Sequence, residues 1–240
     1  MSGVLAGKVA IVTGVSRPGQ IGQAVAHAFA AEGASLALVA RTRENVEARV
    51  REVEAAGGVA LPVTADLTDE TQVEAMVERV MTRYGRIDIL VNLAGGLTRR
   101  KPVTEYTLSD WEYEMGINLK TAFLCSRAVF PRMREGGGGV IISFCRAGPP
   151  PANMVAYNCA KAGVEALTRT LALEGRDAHI RANAIAPGLV DTQSNVEMMK
   201  PKDLSRWVRR EDVARAVVFL ASDAAQGITG QVIAVQGWGI

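Results

Sequence analysis

The chain is poor in cysteine and histidine, has no long apolar run and shows no surplus of either charge. Its three cysteines, Cys125, Cys145 and Cys159, are too few and too odd in number for a disulfide framework, and none sits in a CxxC pair. That usage fits a reducing interior. The two histidines, His27 and His179, fall outside the motifs described below, and no metal site is read from the sequence. With 27 Lys and Arg against 25 Asp and Glu, the formal net charge is +2, which excludes a strongly basic binder of nucleic acid or anionic membrane. No apolar run approaches the roughly 18 residues of a membrane span. Met1–Lys8 lacks the basic start, apolar core and small-residue cleavage site of a secretory leader. These absences set the expectation of a cytoplasmic protein with no nucleic-acid or membrane partner.

What is present is a regular alternation. The 240 residues, 48% hydrophobic and 22% charged, are enough to bury a sizeable core. Short β-rich runs are expected as strands at Lys8–Thr13, Ser35–Ala40, Ala60–Thr64, Ile87–Val91, Gly139–Phe144, Arg181–Ile185 and Gln231–Val235. Most are almost wholly apolar, the pattern of strands buried on both faces of a parallel sheet. Between them, helices are expected over Gln20–Glu32, Arg43–Ala56, Asp69–Tyr84, Leu108–Arg134, Met154–Arg176 and Glu211–Ser222. Gly33, Gly57 and Gly85 follow the ends of three of these. No linker or solenoid repeat divides the chain; Gly136–Gly139 and Pro149–Pro151 read as short connections. The expected fold is α/β, a doubly wound (Rossmann) parallel sheet of about seven strands with helices on both faces, and residues 1–240 are expected to form a single domain.

The first strand runs into Thr13-Gly14-Val15-Ser16-Arg17-Pro18-Gly19-Gln20-Ile21-Gly22, which opens an amphipathic helix. Glycines in such a turn let backbone approach a pyrophosphate, and the helix N-terminus presents unpaired N–H groups to it. The same turn can also be a tight connection without ligand, so the strand-turn-helix context matters. At the end of the second strand, where an NAD site usually has an acid, the chain has Val39-Ala40-Arg41, with Arg43 close behind and Arg17 in the turn. Guanidinium groups suit a 2′-phosphate, so NADP(H) is favoured and NAD(H) stays open; Arg41 and Arg43 read equally as solvated charges at a helix start.

Further along come Asp66-Leu67, Asn92-Leu93-Ala94-Gly95, Asn118, Tyr157-Asn158-Cys159-Ala160-Lys161 and Pro187-Gly188. In this order the motifs resemble the short-chain dehydrogenase/reductase family over essentially the whole chain, and within it the 3-oxoacyl-acyl-carrier-protein reductase-like members. The resemblance implies a carbonyl/alcohol oxidoreductase acting on a small molecule, with Tyr157 as acid/base. It implies that Lys161 lowers the phenol's pKa and holds the nicotinamide ribose, and that Asn118 supports a water chain to solvent. Tyr157 and Lys161, four apart, share a helix face. The cofactor would be held by Gly14, Ser16, Arg17, Gly19, Ile21, Gly22, Arg41, Asp66, Leu67, Asn92, Ala94, Gly95, Tyr157, Lys161, Pro187, Gly188, Val190 and Thr192. A homotetramer or homodimer is also implied, using the two long helices and the apolar tail Val235–Ile240.

Two departures stand out. The family's substrate-orienting serine, placed by its distance from Gly148, falls on Cys145; its usual distance from Tyr157 falls on Phe144. Ser143 points to the same strand face as Cys145, one pleat deeper. A thiol is a weak donor. Either Cys145 or Ser143 therefore orients the carbonyl, or the chain is a non-catalytic NADP-binding sensor or structural partner. The glycine turn is also two residues longer than the family's usual pattern. Enoyl reductases stretch this turn too, but space their Tyr and Lys more widely, which argues against enoyl reduction. On the substrate side, 193–209 is expected to be a short lid in which Met198, Met199, Leu204 and Trp207 contact substrate or simply pack, while Thr98-Arg99-Arg100-Lys101 is a basic patch or a solvated loop.

Overall fold

The computed structural model describes residues 3–238, so Gly239 and Ile240 of the expected interface tail lie outside the described residues. Seven strands form one parallel sheet: β1 (Val9–Thr13), β2 (Ser35–Ala40), β3 (Val59–Thr64), β4 (Ile89–Asn92), β5 (Gly139–Phe144), β6 (Ile180–Pro187) and β7 (Val232–Val235). Their order is β3-β2-β1-β4-β5-β6-β7. The apolar runs explain the layering. β1 and β4 are buried at every residue and lie centrally, whereas β3 and β7, with partly exposed residues, form the edges.

Helices cover both faces. Against one lie α1 (Ile21–Ala31), α2 (Arg43–Ala55) and α8 (Arg210–Ala221), which bury Val25, Phe29, Val46, Val50, Val213 and Val217 with Val12, Leu36 and Ile142. Against the other lie α3 (Glu70–Tyr84), α5 (Thr121–Glu135) and α6 (Val155–Glu174), which bury Val73, Met76, Leu124, Val129, Met133 and Leu171 with Ile11, Leu90 and Ile141. Capping follows the sequence: the Asp69 carboxylate accepts from the amides of Thr71 and Gln72 at 2.9 and 3.3 Å, and Gly85 ends α3 in the left-handed region. After β3 the chain crosses back to the far side of β1, so β1 and β4 register side by side, Val12 beside Val91. Strand addition reverses there, which opens a crevice at the carboxyl ends of these strands.

Two stretches add detail to the expectation, one expected as a helix and one as a lid. The stretch 108–134 is not one helix but α4 (Leu108–Met115), a π-helical turn (Gly116–Lys120) and α5. At the break Asn118 is buried, and its Nδ2 donates to the carbonyls of Glu114 and Gly96, both at 3.0 Å. A polar side chain inserted into the helix ladder in this way widens the turn. The segment 193–209, expected as a short lid, begins with α7 (Gln193–Met199), capped by Thr192, whose hydroxyl accepts from the Asn195 amide at 3.3 Å. No helix among the described residues is long and apolar enough to cross a membrane.

Candidate functional site

A cleft of about 820 Å³ opens at the carboxyl ends of β1, β2 and β4. A second cavity of about 830 Å³ lies at the opposite ends of the strands, lined among others by Lys8, Asp88, His179 and Arg181. Volume therefore does not choose between them; position and donor groups do, since ligands of open parallel sheets bind at the carboxyl ends beside the switch point.

The glycine turn builds one wall of the first cleft. Gly14 has φ 75°, and a Cβ there would meet the Ala94 amide nitrogen at 2.9 Å, so only glycine lets the turn after β1 pack on the loop after β4. The Thr13 hydroxyl fastens the two, donating to the Val91 carbonyl at 3.1 Å and accepting from the amides of Leu93 and Ala94 at 3.0 and 3.1 Å. Gly14, Ser16, Arg17, Gln20, Ile21 and Gly22 all line the cleft. The N-terminus of α1 has no side-chain cap and no acid in its first turn, so its leading amides face the cleft as donors. The lengthened turn leans on α7: the Gly19 carbonyl accepts from the Gln193 amide at 2.8 Å, and a Cβ on Gly19 would meet the Gln193 side chain. Gly19 therefore turns toward α7 and is absent from the cleft wall.

The three arginines part company. Arg17 and Arg41 are exposed and line the cleft. Arg43 instead pairs with Glu47 at 2.7 Å, one helical turn on, and is absent from the wall. Asn45, which the sequence did not single out, lines the cleft and donates to the Ser16 hydroxyl at 3.1 Å. Asp66 and Leu67 line the far end, where the Thr68 amide and hydroxyl hold the Asp66 carboxyl below the usual carboxylate range.

Ala94, Gly95 and Thr192 also line the cleft, as do Tyr113, Lys120 and Ser194. Asn92 lies beneath, buried, and donates to the hydroxyls of Ser126 and Ser143 at 3.1 and 3.2 Å, while its Oδ1 has no partner. Pro187, Gly188 and Val190 are absent from the wall. The Gly188 amide bonds the Val235 carbonyl at 2.9 Å, and Val190 is buried in a bridge to Val208, which fixes the course of the chain into Thr192.

Tyr157 and Lys161 project from α6 toward the end of β5. Lys161 is buried and donates to the Phe144 carbonyl at 2.9 Å, and its Nζ lies 5.7 Å from the centre of the Tyr157 ring. Burial pulls its ammonium down to about 8. Burial pushes the Tyr157 phenol up, Arg146 pulls it down, and Glu114 and Cys145 raise it. The Lys161 ammonium is turned to a backbone carbonyl. Ser143 Oγ accepts from Asn92 Nδ2 at 3.2 Å and keeps its own hydrogen to donate, whereas Cys145, buried beside Ala122 and Val164, donates its thiol hydrogen to the Ile185 carbonyl at 3.5 Å. Burial pushes that thiol up to about 11, so it is neutral near pH 7. Asn118 joins α4 to the loop after β4, its Oδ1 accepting from the Gly96 amide at 2.9 Å.

Within the basic patch Arg99 and Lys101 share one carboxylate, Asp110, at 3.1 and 2.5 Å. His27 pairs with Glu52 at 3.5 Å, and His179 lines the opposite cavity, so neither belongs to this cleft.

Strand order, switch-point cleft and glycine turn define a Rossmann-type α/β protein. A family model described as enoyl-(acyl carrier protein) reductase matches residues 14–238. The chain is 35% identical to the 3-oxoacyl-acyl-carrier-protein reductase FabG of Thermotoga maritima over 245 aligned residues, covering 97% of this chain and 98% of that protein. It is 36% identical to a D-threitol dehydrogenase of Mycolicibacterium smegmatis over 244 aligned residues, covering 97% and 93%. Among solved structures, a 7α-hydroxysteroid dehydrogenase complexed with NADH and 7-oxo glycochenodeoxycholic acid superposes with a TM-score of 0.90 at 32% identity, over 98% of this chain and 95% of that one. A hydroxysteroid dehydrogenase from Escherichia coli gives 0.89 at 33%, over 97% and 96%. The chain belongs to the short-chain dehydrogenase/reductase family and is an oxidoreductase acting on CH–OH or C=O groups.

Proposed function

We propose that the chain interconverts a carbonyl compound and a secondary alcohol with NADP(H), Tyr157 serving as acid/base. The observation that carries this is a half-buried Tyr157 beside a buried Lys161 at the end of β5, next to a cleft walled by an uncapped helix N-terminus and by Arg17 and Arg41, although neither Tyr157 nor Lys161 is part of that wall. The donor set fits a dinucleotide. Gly14, Ser16, Ile21 and Gly22 would hold the pyrophosphate, Arg17 and Arg41 the 2′-phosphate, and Asp66 and Leu67 the adenine. Asn92, Ala94, Gly95, Lys161, Pro187, Gly188, Val190 and Thr192 would flank the nicotinamide half, and Gly19 would hold the turn from behind.

When bound, the cofactor supplies or accepts the hydride. In the reducing direction Tyr157 gives its phenolic proton to the carbonyl oxygen; in the oxidising direction the phenolate takes it back. Lys161 and Asn118 resupply that proton. Cys145, just after β5, would orient the carbonyl oxygen as a weak donor once its S–H turns from the Ile185 carbonyl, and Ser143, an acceptor from Asn92, is the other candidate. One domain, residues 1–240, carries the whole site, with 193–209 as its lid. Side chains exposed on α5, α6 and α8 (Phe123, Leu173 and Phe219), together with Trp238, support a homodimer or homotetramer. The three unbridged cysteines support a reducing, cytoplasmic location.

The test is a panel of ethyl acetoacetate, acetoacetyl-CoA, cyclohexanone and secondary alcohols, each assayed with both cofactors. The reading requires turnover of at least one of them and a preference for NADPH that Arg41→Ala reduces by about tenfold. An unchanged preference in Arg41→Ala refutes the phosphate assignment, and wild-type inertness toward the whole panel counts against the enzyme.

A further inference from the structure

Glu114 on α4 is a carboxylate with no exposed surface, and it forms no ion pair among the described residues. Burying a charge in this way costs several kcal/mol unless its lone pairs are satisfied. They are satisfied from two directions. Oε1 accepts from the Thr98 amide at 2.7 Å, the Thr98 hydroxyl at 2.6 Å and the Arg99 amide at 2.6 Å. Oε2 accepts from Asn118 Nδ2 at 3.1 Å, and the same nitrogen reaches the Glu114 carbonyl. Asn118 in turn holds both the amide and the carbonyl of Gly96. One side chain thus ties the loop after β4, which enters the cleft wall at Thr98, to the π-helical turn that carries Asn118. Neither the Tyr-Lys pair nor the cofactor cradle accounts for a buried carboxylate here.

We propose that Glu114 is a positioning residue, whose ionised carboxylate locks the Gly96–Arg99 segment to the Asn118 turn and sets the field in which Tyr157 exchanges its proton. The claim rests on the roles given above to Tyr157, Lys161 and Asn118. A carboxylate is required because acceptors are needed on both oxygens; glutamine would satisfy the loop amides with its oxygen but turn a donor toward Asn118 Nδ2. The charged and titratable groups that bear on the Tyr157 phenol are Cys145 and Arg146 after β5 and Glu114 on α4, with the Lys161 ammonium of its own helix 5.7 Å from the ring centre. Glu114 is the carboxylate among them, and it opposes the phenolate.

The test needs no substrate. Amide hydrogen exchange is followed at Thr98 and Arg99 in the wild type, Glu114→Gln and Glu114→Ala. Tyr157 ionisation is followed by the ultraviolet tyrosinate signal, assigned as the difference from Tyr157→Phe. In Glu114→Ala the two amides exchange about tenfold faster or more, as expected for lost hydrogen bonds, whereas in Glu114→Gln they stay within about threefold of wild type. In Glu114→Gln the Tyr157 midpoint falls by on the order of half a pH unit, because a charge that opposed the phenolate is gone. Unchanged exchange in Glu114→Ala, or an unmoved midpoint in Glu114→Gln, overturns the proposal; if Glu114→Ala does not fold, the midpoint alone decides. Turnover by Tyr157→Phe separately tests the acid/base reading, so the two ideas fail by different results.

Discussion

Lys161 is buried among apolar groups at the end of β5, with only the Phe144 carbonyl for its ammonium, and burial pulls it from an ordinary 10.5 down to about 8. This depression makes the stability of the chain depend on pH in a definite direction. Below about pH 8 lysine is protonated in both folded and unfolded chains, so the cost of the buried charge is fully present and does not vary. Between about 8 and 10.5 the unfolded chain holds the proton and the folded one does not, so stability rises by about 1.4 kcal/mol per pH unit. Over that interval the gain is on the order of 3 kcal/mol. The perturbation is Lys161→Met, similar in length and without charge. Urea unfolding of both chains in a Cys145→Ala background, without nucleotide, at pH 7.5, 9 and 10 isolates the effect as a difference, because the thiol coupled to Lys161 is removed, groups not coupled to Lys161 cancel and loss of the bond to Phe144 adds a constant. The chain that keeps Lys161 should gain on the variant steadily above pH 8. A stability difference that stays flat, or moves the other way, refutes the claim that Lys161 is held desolvated.

Other outcomes follow from the same structure. Cys145→Ser replaces a weak donor by a hydroxyl at the end of β5; a full donor to a developing oxyanion is worth about 10² to 10³ in rate, so kcat should rise by about tenfold, whereas equal rates for Cys145→Ser and Cys145→Ala place the orienting group elsewhere. If turnover appears only in Cys145→Ser, the wild type is the cofactor-binding, non-catalytic protein that its sequence leaves open. Gly14→Ala should cost about 2–4 kcal/mol, because it combines φ 75° with a Cβ 2.9 Å from the Ala94 nitrogen. Gly57→Ala, at φ 84° with open space around it, should cost about 1–2 kcal/mol by thermal or urea unfolding, and equal costs would deny the close approach at Gly14.

The layers of the fold were legible because burial leaves a local mark. β2 and β5 begin and end where their apolar runs do, and Asp69 and Gly85 bracket α3 as cap chemistry requires. What escaped was decided mostly by contacts distant in sequence. The break at Asn118 depends on Gly96, and the course of α7 depends on the lengthened glycine turn bonding Gln193. Arg43 and Arg41 look alike in sequence, yet Glu47 one turn away claims the first and leaves the second to the cleft. Ser143 and Cys145 share a strand face, and only the position of Asn92 separates them. Glu114 reads as one more polar position on an amphipathic helix, because nothing near it announces that the loop after β4 folds over it.

Tyr157 is the residue on which the proposed proton transfer turns. Turnover of the best panel substrate and NADPH binding by fluorescence should be measured side by side for the wild type and Tyr157→Phe. Loss of turnover by about 10²-fold or more, with NADPH binding within a few-fold of wild type, is the predicted result, since the variant keeps the ring and removes only the proton that the carbonyl oxygen receives. A Tyr157→Phe chain that turns over at the wild-type rate contradicts the assignment of Tyr157 as the acid/base.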